Sequence, residues 1–135
     1  MTAVTRPPIT SFPRGHTFAR ASFSLDAAAV RAYLDAVGDA NDYGASIPPL
    51  AVIAFALREL QASVSLPDGA LHTGQEVEHE AVVRVGAPLT MQAVVAQRSE
   101  RQGFVITVVE IVVEQDRVPA LRARTTIMAP AGGGA

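Results

Sequence analysis

A short polar loop within residues 36–49 brings together most of the side chains in this sequence that could do chemistry. The stretch reads AVGDANDYGASIPP and follows an apolar helical run. Asp39 is its first carboxylate, and a carboxylate held beside a substrate can take or give a proton. Short polar side chains also bond to the backbone of their own loop. The loop therefore predicts either a proton-transfer site at Asp39 or an ordinary helix-ending turn held by Asp39, Asn41 and Asp42.

The three histidines are the other groups that titrate near neutral pH. His72, in LHTGQE, follows a predicted turn and is the candidate for a second catalytic group beside Asp39. The alternative is a strand-end histidine bonded to a backbone carbonyl. His79 is expected in the core or at an interface, and His16 on an exposed strand. With no i, i+4 histidine pair and no cysteine, the sequence predicts no metal site and no cofactor.

Two helices are expected to position the loop. Apolar residues spaced at i, i+3, i+4 and i+7 from Val30 predict the first helix, capped by Ser24 and ended by Gly38. The second helix is predicted over 50–64. The proline pair at the end of the loop opens it, because proline is best tolerated in a first helical turn. Its first half is apolar on every side, which is typical of a buried helix.

The remaining segments are predicted to be strands. They cover 16–23, 75–85, 89–99, 104–114 and 118–128. The fourth is apolar on both faces, which is typical of a central strand whose second face meets a partner. Its internal charge, Glu110, is expected to pair with Arg122 or Arg124 on the last strand. One buried helix wrapped by a curved antiparallel sheet is the α+β hot-dog arrangement, and this is the predicted fold.

Charge and composition exclude several classes of partner. The 135-residue chain has 11 basic and 13 acidic residues and no basic stretch, so neither nucleic acid nor a membrane surface is an expected partner. No segment has the length of a signal-peptide core or a membrane helix, and we expect a cytoplasmic protein. We predict one domain over 15–129, an irregular lead-in over 1–14 and a flexible tail over 130–135.

Four stretches, in this order, resemble the MaoC-like hydratases and dehydratases. FSLDAAAVRAYLDAVGDAND is similar to that family's helix and Gly-Asp-x-Asn loop, and IPP matches its proline-opened central helix. ALHTGQEVEHEAVVRVGAPL resembles a segment of the N-terminal-type members, and RQGFVITVVEIVVEQDRVPALRARTTI resembles the closing hairpin and last strand. The similarity spans about residues 15–129. It implies the hot-dog fold and reversible addition of water to a trans-2-enoyl thioester on coenzyme A or acyl carrier protein.

The loop departs from the family pattern at one position. In active members the loop Asp and a His five residues later act on one water, and these positions hold Asp39 and Gly44 here. The resemblance then implies one of two things. Either the chain is a dyad-lacking, non-catalytic hot dog that depends on a second hot-dog subunit, or His72 replaces the missing group. The residues expected to contact the thioester are Asn41, Tyr43, Gly44, Pro48 and Pro49.

Two other functions stay open. A hot-dog acyl-CoA thioesterase would need a carboxylate aimed at the thioester carbonyl, and the second helix offers only Glu59. The other is a hot dog that binds an acyl thioester, or assembles with partners, without doing chemistry, and Gly44 is its main support. The expected protein partner is a second copy, giving a homodimer, or a different hot-dog subunit, giving a heteromer. Charged residues are only 18% of the chain, which favours burial of part of its surface against another subunit.

Overall fold

The computed structural model describes residues 6–131. In chain order the elements are a 3₁₀ turn at Ile9–Ser11, β1 Ala21–Phe23, α1 Ala27–Val37, β2 Ser46–Ile47, α2 Pro49–Gln61, β3 Leu71–His79, β4 Val83–Arg84, β5 Leu89–Arg101, β6 Phe104–Gln115 and β7 Val118–Pro130. Five strands form an antiparallel sheet in the order β1-β5-β6-β7-β3, and β2 pairs with β4. The predicted α+β arrangement, a curved antiparallel sheet against a central helix, is confirmed. Neither helix of this range is long and apolar enough to cross a membrane.

Helix α1 begins after Asp26 and ends at Gly38, and both ends have local causes. The Asp26 carboxylate accepts a hydrogen bond from the Ala29 amide at 2.8 Å, which satisfies a free donor of the first turn. The prediction that Ser24 caps the helix is wrong, because the acceptor immediately before the helix takes this role. Gly38 adopts a left-handed conformation with φ 72°, as expected of the residue that stops the helix.

Helix α2 packs one side against the sheet. Its predicted proline opening is confirmed, with Pro48 extended at the N-cap and Pro49 in the first turn. The buried face consists of Ala51, Val52, Ile53, Ala56 and Leu60. The expectation of a helix buried on every side is wrong, since Leu50 is 60% exposed. The helix ends at Gln61 rather than at residue 64.

The single strand predicted over 75–85 is two strands in different sheets. β3 ends at His79, and the next two amides both donate to the Ala120 carbonyl, which turns the chain away from the sheet. β4 then pairs with β2, the strand that leads into α2. The buried side chain of Gln115 holds this turn. It accepts a hydrogen bond from a β4 amide and donates one to the carbonyl just before β4, each at 2.9 Å.

β6 is the central strand of the sheet, as predicted, with β5 and β7 on either side. Its inner face carries Val109, Ile111 and Val113, which are fully buried in the core that α2 completes. On the outer face the Glu110 carboxylate lies 3.4 Å from the Arg124 guanidinium of β7. The predicted interstrand ion pair is confirmed. Because both side chains are more than a third exposed, the pair contributes at most about 1 kcal/mol to stability.

The described part of the Pro-rich lead-in, residues 6–14, packs on the rest of the chain. Ile9 is fully buried, and its amide donates to the Ser65 carbonyl at 2.9 Å. Arg98 of β5 donates two hydrogen bonds to the Thr10 carbonyl, at 2.9 and 3.1 Å. The division into lead-in, domain and tail stays a prediction, and most of the expected tail lies outside the described residues.

Candidate functional site

The polar loop between α1 and β2 is held at both ends by local hydrogen bonds. At its start, the left-handed Gly38 redirects the chain, and the Asp39 amide donates to the Leu34 carbonyl at 2.9 Å. At its end, the amide and the hydroxyl of Ser46 both donate to the Tyr43 carbonyl, at 3.1 and 2.7 Å. These contacts place the side chains of the intervening residues on the surface beside α1.

Asp39 organises this loop, and both of its carboxylate oxygens are occupied. Oδ1 accepts hydrogen bonds from the Asn41 amide at 2.9 Å and from Asn41 Nδ2 at 2.8 Å. Oδ2 accepts one from the Tyr43 hydroxyl at 2.6 Å, a short distance typical of a charged acceptor. The carboxylate thus closes an Asx turn with Asn41 and also anchors the phenol ring of Tyr43.

These hydrogen bonds shift the two pKa values in opposite directions. The Tyr43 hydroxyl, and after it the Asn41 amide, lower the pKa of Asp39 below its ordinary value of 3.8, because they stabilise the charged carboxylate. The same bond to Asp39 raises the pKa of Tyr43 above its ordinary value of 10.0. At neutral pH Asp39 is therefore an anion of reduced basicity and Tyr43 a neutral phenol. Neither group is tuned towards pH 7, as an acid–base pair would be.

Gly44 occupies the position at which the family pattern has its histidine. Its amide donates to the Asp42 carboxylate at 2.8 Å, which forms a second turn inside the loop. Its φ of 62° lies in the left-handed region, where glycine is favoured over most side chains. A Cβ atom at this position would meet nothing within 4 Å. The position is therefore sterically open, and only its backbone conformation opposes a side chain.

A cleft of ≈ 380 Å³ lies between α1 and this loop. Four predicted site residues line it together, namely Asp39, Asn41, Tyr43 and Gly44. Pro48 and Pro49 do not belong to its lining, and both are half-buried at the start of α2. The structure therefore brings together the polar part of the predicted site and leaves the two prolines outside the cleft, at the start of α2.

Two charged residues of α1 also line the cleft and were not predicted. Arg31 and Asp35 are one helical turn apart and share the face that leads to Asp39. Their i, i+4 spacing in the helix that ends at the loop is the signal that could have identified them. The lining therefore holds three carboxylates, those of Asp35, Asp39 and Asp42, and one guanidinium. This excess of negative charge disfavours the binding of phosphate groups relative to neutral ones.

His72 stands on a different element from Asp39. It is an exposed residue near the start of β3, the edge strand of the sheet, opposite Ile127 of β7. Among residues 6–131 no hydrogen bond joins His72 to Asp39, and His72 does not line the cleft. The structure therefore does not pair the two candidate catalytic groups within one chain, and a catalytic role for either stays a prediction.

The expectation for His16 is wrong, and the expectation for His79 is wrong in part. His16 is half-buried outside the named strands, with its ring centroid 4.6 Å from that of Phe12 and 4.8 Å from that of Phe18. His79 is exposed at the end of β3 and so is not in the core, whereas its expected place at an interface stays a prediction. Within the described part of the chain, no three His, Asp or Glu side chains are grouped so that they could hold a metal ion.

Comparison with known proteins identifies the fold. No protein-family profile matches the chain, and no curated protein matches it in sequence. The MaoC-like dehydratase from Rhodospirillum rubrum superposes with a TM-score of 0.69 over 91% of this chain and 96% of that chain, at 16% sequence identity. This chain has the hot-dog fold.

Two further hot-dog structures agree to a similar degree. The (R)-hydratase from A. caviae involved in PHA biosynthesis has a TM-score of 0.68 and 20% identity, over 89% of this chain and 98% of that chain. The HadBC (3R-hydroxyacyl-ACP dehydratase) complex from Mycobacterium tuberculosis has a TM-score of 0.70 and 19% identity, over 90% of this chain and 100% of that chain. The predicted likeness in fold to MaoC-like hydratases and dehydratases is confirmed.

Proposed function

We propose that this chain is the non-catalytic hot dog of a MaoC-like enoyl-thioester hydratase or 3-hydroxyacyl-thioester dehydratase. It shapes part of the acyl site, and a second hot-dog subunit supplies the acid and the base. The substrate is an acyl thioester on coenzyme A or acyl carrier protein, as the family resemblance implies. The shared fold of a dehydratase and a hydratase supports this reaction class.

The state of Asp39 is the observation that carries the proposal. Hydration of an enoyl thioester needs one group that takes a proton from water as it attacks C3, and one group that delivers a proton to C2. Asp39 accepts three hydrogen bonds inside its own loop and has a lowered pKa. These bonds take three of the about four acceptor sites of the carboxylate, so a water can bind only on Oδ2, beside the Tyr43 hydroxyl. Among residues 6–131 no histidine donates a hydrogen bond to this carboxylate, and Gly44 occupies the position of the family's histidine.

A second hot-dog subunit is the partner that this proposal requires. HadBC, which shares the fold over 90% of this chain, is described as a complex. This chain also presents an edge strand, β3, whose outer edge no other strand of residues 6–131 covers. Both observations support assembly with another hot dog, either a second copy or a different chain.

Acyl-thioester binding without chemistry is the second candidate, and Gly44 favours it as well. The two candidates differ in one respect, which is whether the assembled complex converts an enoyl thioester. A thioesterase has no comparable support. Glu59, the carboxylate that it would use, is half-buried in the last turn of α2 and does not line the cleft.

Turnover of a short trans-2-enoyl-CoA by the purified chain tests the proposal, followed as loss of the enoyl-thioester absorbance. We expect no turnover by the wild type above that of Asp39→Ala. Gly44→His supplies the missing imidazole, and Gly44→Asn is the matched control, because asparagine tolerates the same left-handed backbone but has no basic ring. Turnover by Gly44→His but not by Gly44→Asn would support a loop that keeps the geometry of the family's Asp-His dyad. Rapid wild-type turnover that Asp39→Ala abolishes would contradict the proposal, and His72→Ala would then test the substitute.

A further inference from the structure

β3 leaves one long strand edge unpaired. It is the last strand of the sheet, and within residues 6–131 only β7 pairs with it. Its nine residues therefore present a row of free backbone amides and carbonyls about 30 Å long. Such an edge pairs readily with another strand unless its side chains prevent it. Leu71, at one end of the strand, is 58% exposed and adds apolar surface that a partner would cover.

Charges on the outer face of the sheet alternate in sign from strand to strand and end at this edge with a carboxylate. One row runs from Glu110 of β6 to Arg124 of β7 and then to Glu76 of β3, each directly opposite the next. A second row joins Arg122 of β7 to Glu78 of β3. Both edge glutamates are exposed. Neither belongs to a salt bridge among the described residues, because the two arginines bridge other carboxylates.

A second copy of β3 cannot continue either row. Its sequence, LHTGQEVEH, contains no lysine or arginine, so no register of self-pairing places a permanent positive charge opposite Glu76 or Glu78. Neither histidine of the strand can supply this charge. His79 lies on the other face of β3, because successive residues alternate between faces. An irregularity after His72 places His72 opposite the inward-facing Ile127. Antiparallel registers centred on the glutamate pair bring carboxylate against carboxylate, which destabilises a strand pair.

We propose that the edge of β3 receives the edge strand of a different hot-dog chain, one that carries Lys or Arg at two alternate positions facing Glu76 and Glu78. This inference rests on the proposed function, because it specifies the partner subunit and selects a heteromer over a homodimer. A basic partner strand continues both charge rows and completes the backbone ladder. The same carboxylates keep copies of this chain apart, so the edge selects its partner by charge.

The test uses a charge-reversed copy of the chain as the probe for a basic partner. The variant Glu76→Lys/Glu78→Lys is mixed with wild type, and association is followed by sedimentation velocity without substrate, at low and high salt. Asp35→Lys/Glu114→Lys is the matched control, since it changes the net charge equally at residues outside β3. We expect the wild type to associate with the edge variant roughly tenfold more tightly than with itself or with the control, and high salt to reduce the difference.

Two outcomes would overturn this inference. One is a wild-type dimer at least as tight as the mixed pair, and the other is a folded edge variant that does not bind the wild type. The new lysines would face Arg122 and Arg124, so circular dichroism first checks that the variant folds. Where it does not, Glu76→Gln/Glu78→Gln replaces it. Without the two carboxylates this neutral variant should associate with itself more tightly than the wild type does, and an unchanged association would equally overturn the inference.

The outcome is separable from that of the proposed function. Association is measured without a thioester, whereas the proposed function is tested by turnover of the wild type alone. A wild-type chain that hydrates enoyl-CoA by itself contradicts the proposed function and leaves the charge selectivity of the edge standing. A tight wild-type homodimer without turnover contradicts the charge selectivity of the edge and leaves the proposed function standing.

Discussion

The Gly44→His substitution tests how much stability the loop owes to a glycine in the left-handed conformation at residue 44. Gly44 has a φ of 62°, and a Cβ atom there meets nothing within 4 Å, so the cost of a side chain is conformational and not steric. A non-glycine residue in the left-handed region is less stable by about 1–2 kcal/mol, and histidine is among the side chains found there more often than most. We expect the free energy of unfolding to fall by about 1 kcal/mol. The variant should stay folded, since domains are typically stable by roughly 5–15 kcal/mol.

Urea unfolding followed by circular dichroism measures this loss. With a slope of about 2 kcal/mol per molar urea, the expected loss moves the midpoint by roughly 0.5 M. Ala45→His is the matched control, because it places the same side chain on the neighbouring exposed residue, whose φ is not positive. A Gly44→His variant as stable as Ala45→His would refute the reasoning. A loss above roughly 3 kcal/mol would also refute it, because the side chain would then be meeting a contact that the structure leaves open.

Three other predictions concern the cap of α1, the loop and the lead-in. Asp26→Ala is expected to lower the free energy of unfolding by about 1 kcal/mol through loss of the α1 cap, and Ser24→Ala to leave it unchanged; equal losses in urea unfolding would contradict the cap assignment. Tyr43→Phe removes a hydrogen bond to the ionised Asp39, so the pKa of that carboxyl should rise towards 3.8 in an NMR titration. Because the pKa of Asp39 is lowered in the folded state, this bond stabilises the wild type above about pH 4, and the stabilisation is lost as pH falls through the folded pKa. An unchanged pKa of Asp39 in the variant would exclude the phenol as the cause of the lowering. Ile9→Ala should lower the free energy of unfolding by about 2–5 kcal/mol, because the side chain is fully buried, and a loss below about 1 kcal/mol would show that the lead-in contributes little to the core.

The order of elements could be predicted because its signals are local. The apolar spacing from Val30, the left-handed stop at Gly38 and the apolar run of β6 each act within a few residues. The cap of α1 was missed because Ser24 and Asp26 are both good acceptors and only the position of the first free amides separates them. The break after β3 was missed because alternation continues across it, while the side chain that holds it comes from Gln115, far along the chain.

The residues of the loop and its turn-forming role could be predicted from the sequence, and Asp39 and Asp42 do accept backbone amides of the loop, but the bond between Tyr43 and Asp39 could not be predicted. The types and spacing of Asp39 and Tyr43 do not show whether the carboxylate is free, since this depends on the turn conformations at Gly38 and Gly44. The separate placement of His72 has no local signal either. It follows from the pairing of β3 with β7, which joins residues about fifty positions apart.

Labelled water offers the most direct test of whether Asp39 holds its own loop together without activating water. The purified wild-type chain is incubated with a short trans-2-enoyl-CoA in isotopically labelled water, and mass spectrometry detects any 3-hydroxyacyl thioester that has gained the labelled oxygen. We predict no labelled product above the amount formed with Asp39→Ala. Labelled product that the wild type forms and Asp39→Ala does not would show that this carboxylate acts as a base within the single chain, and would contradict the proposed function.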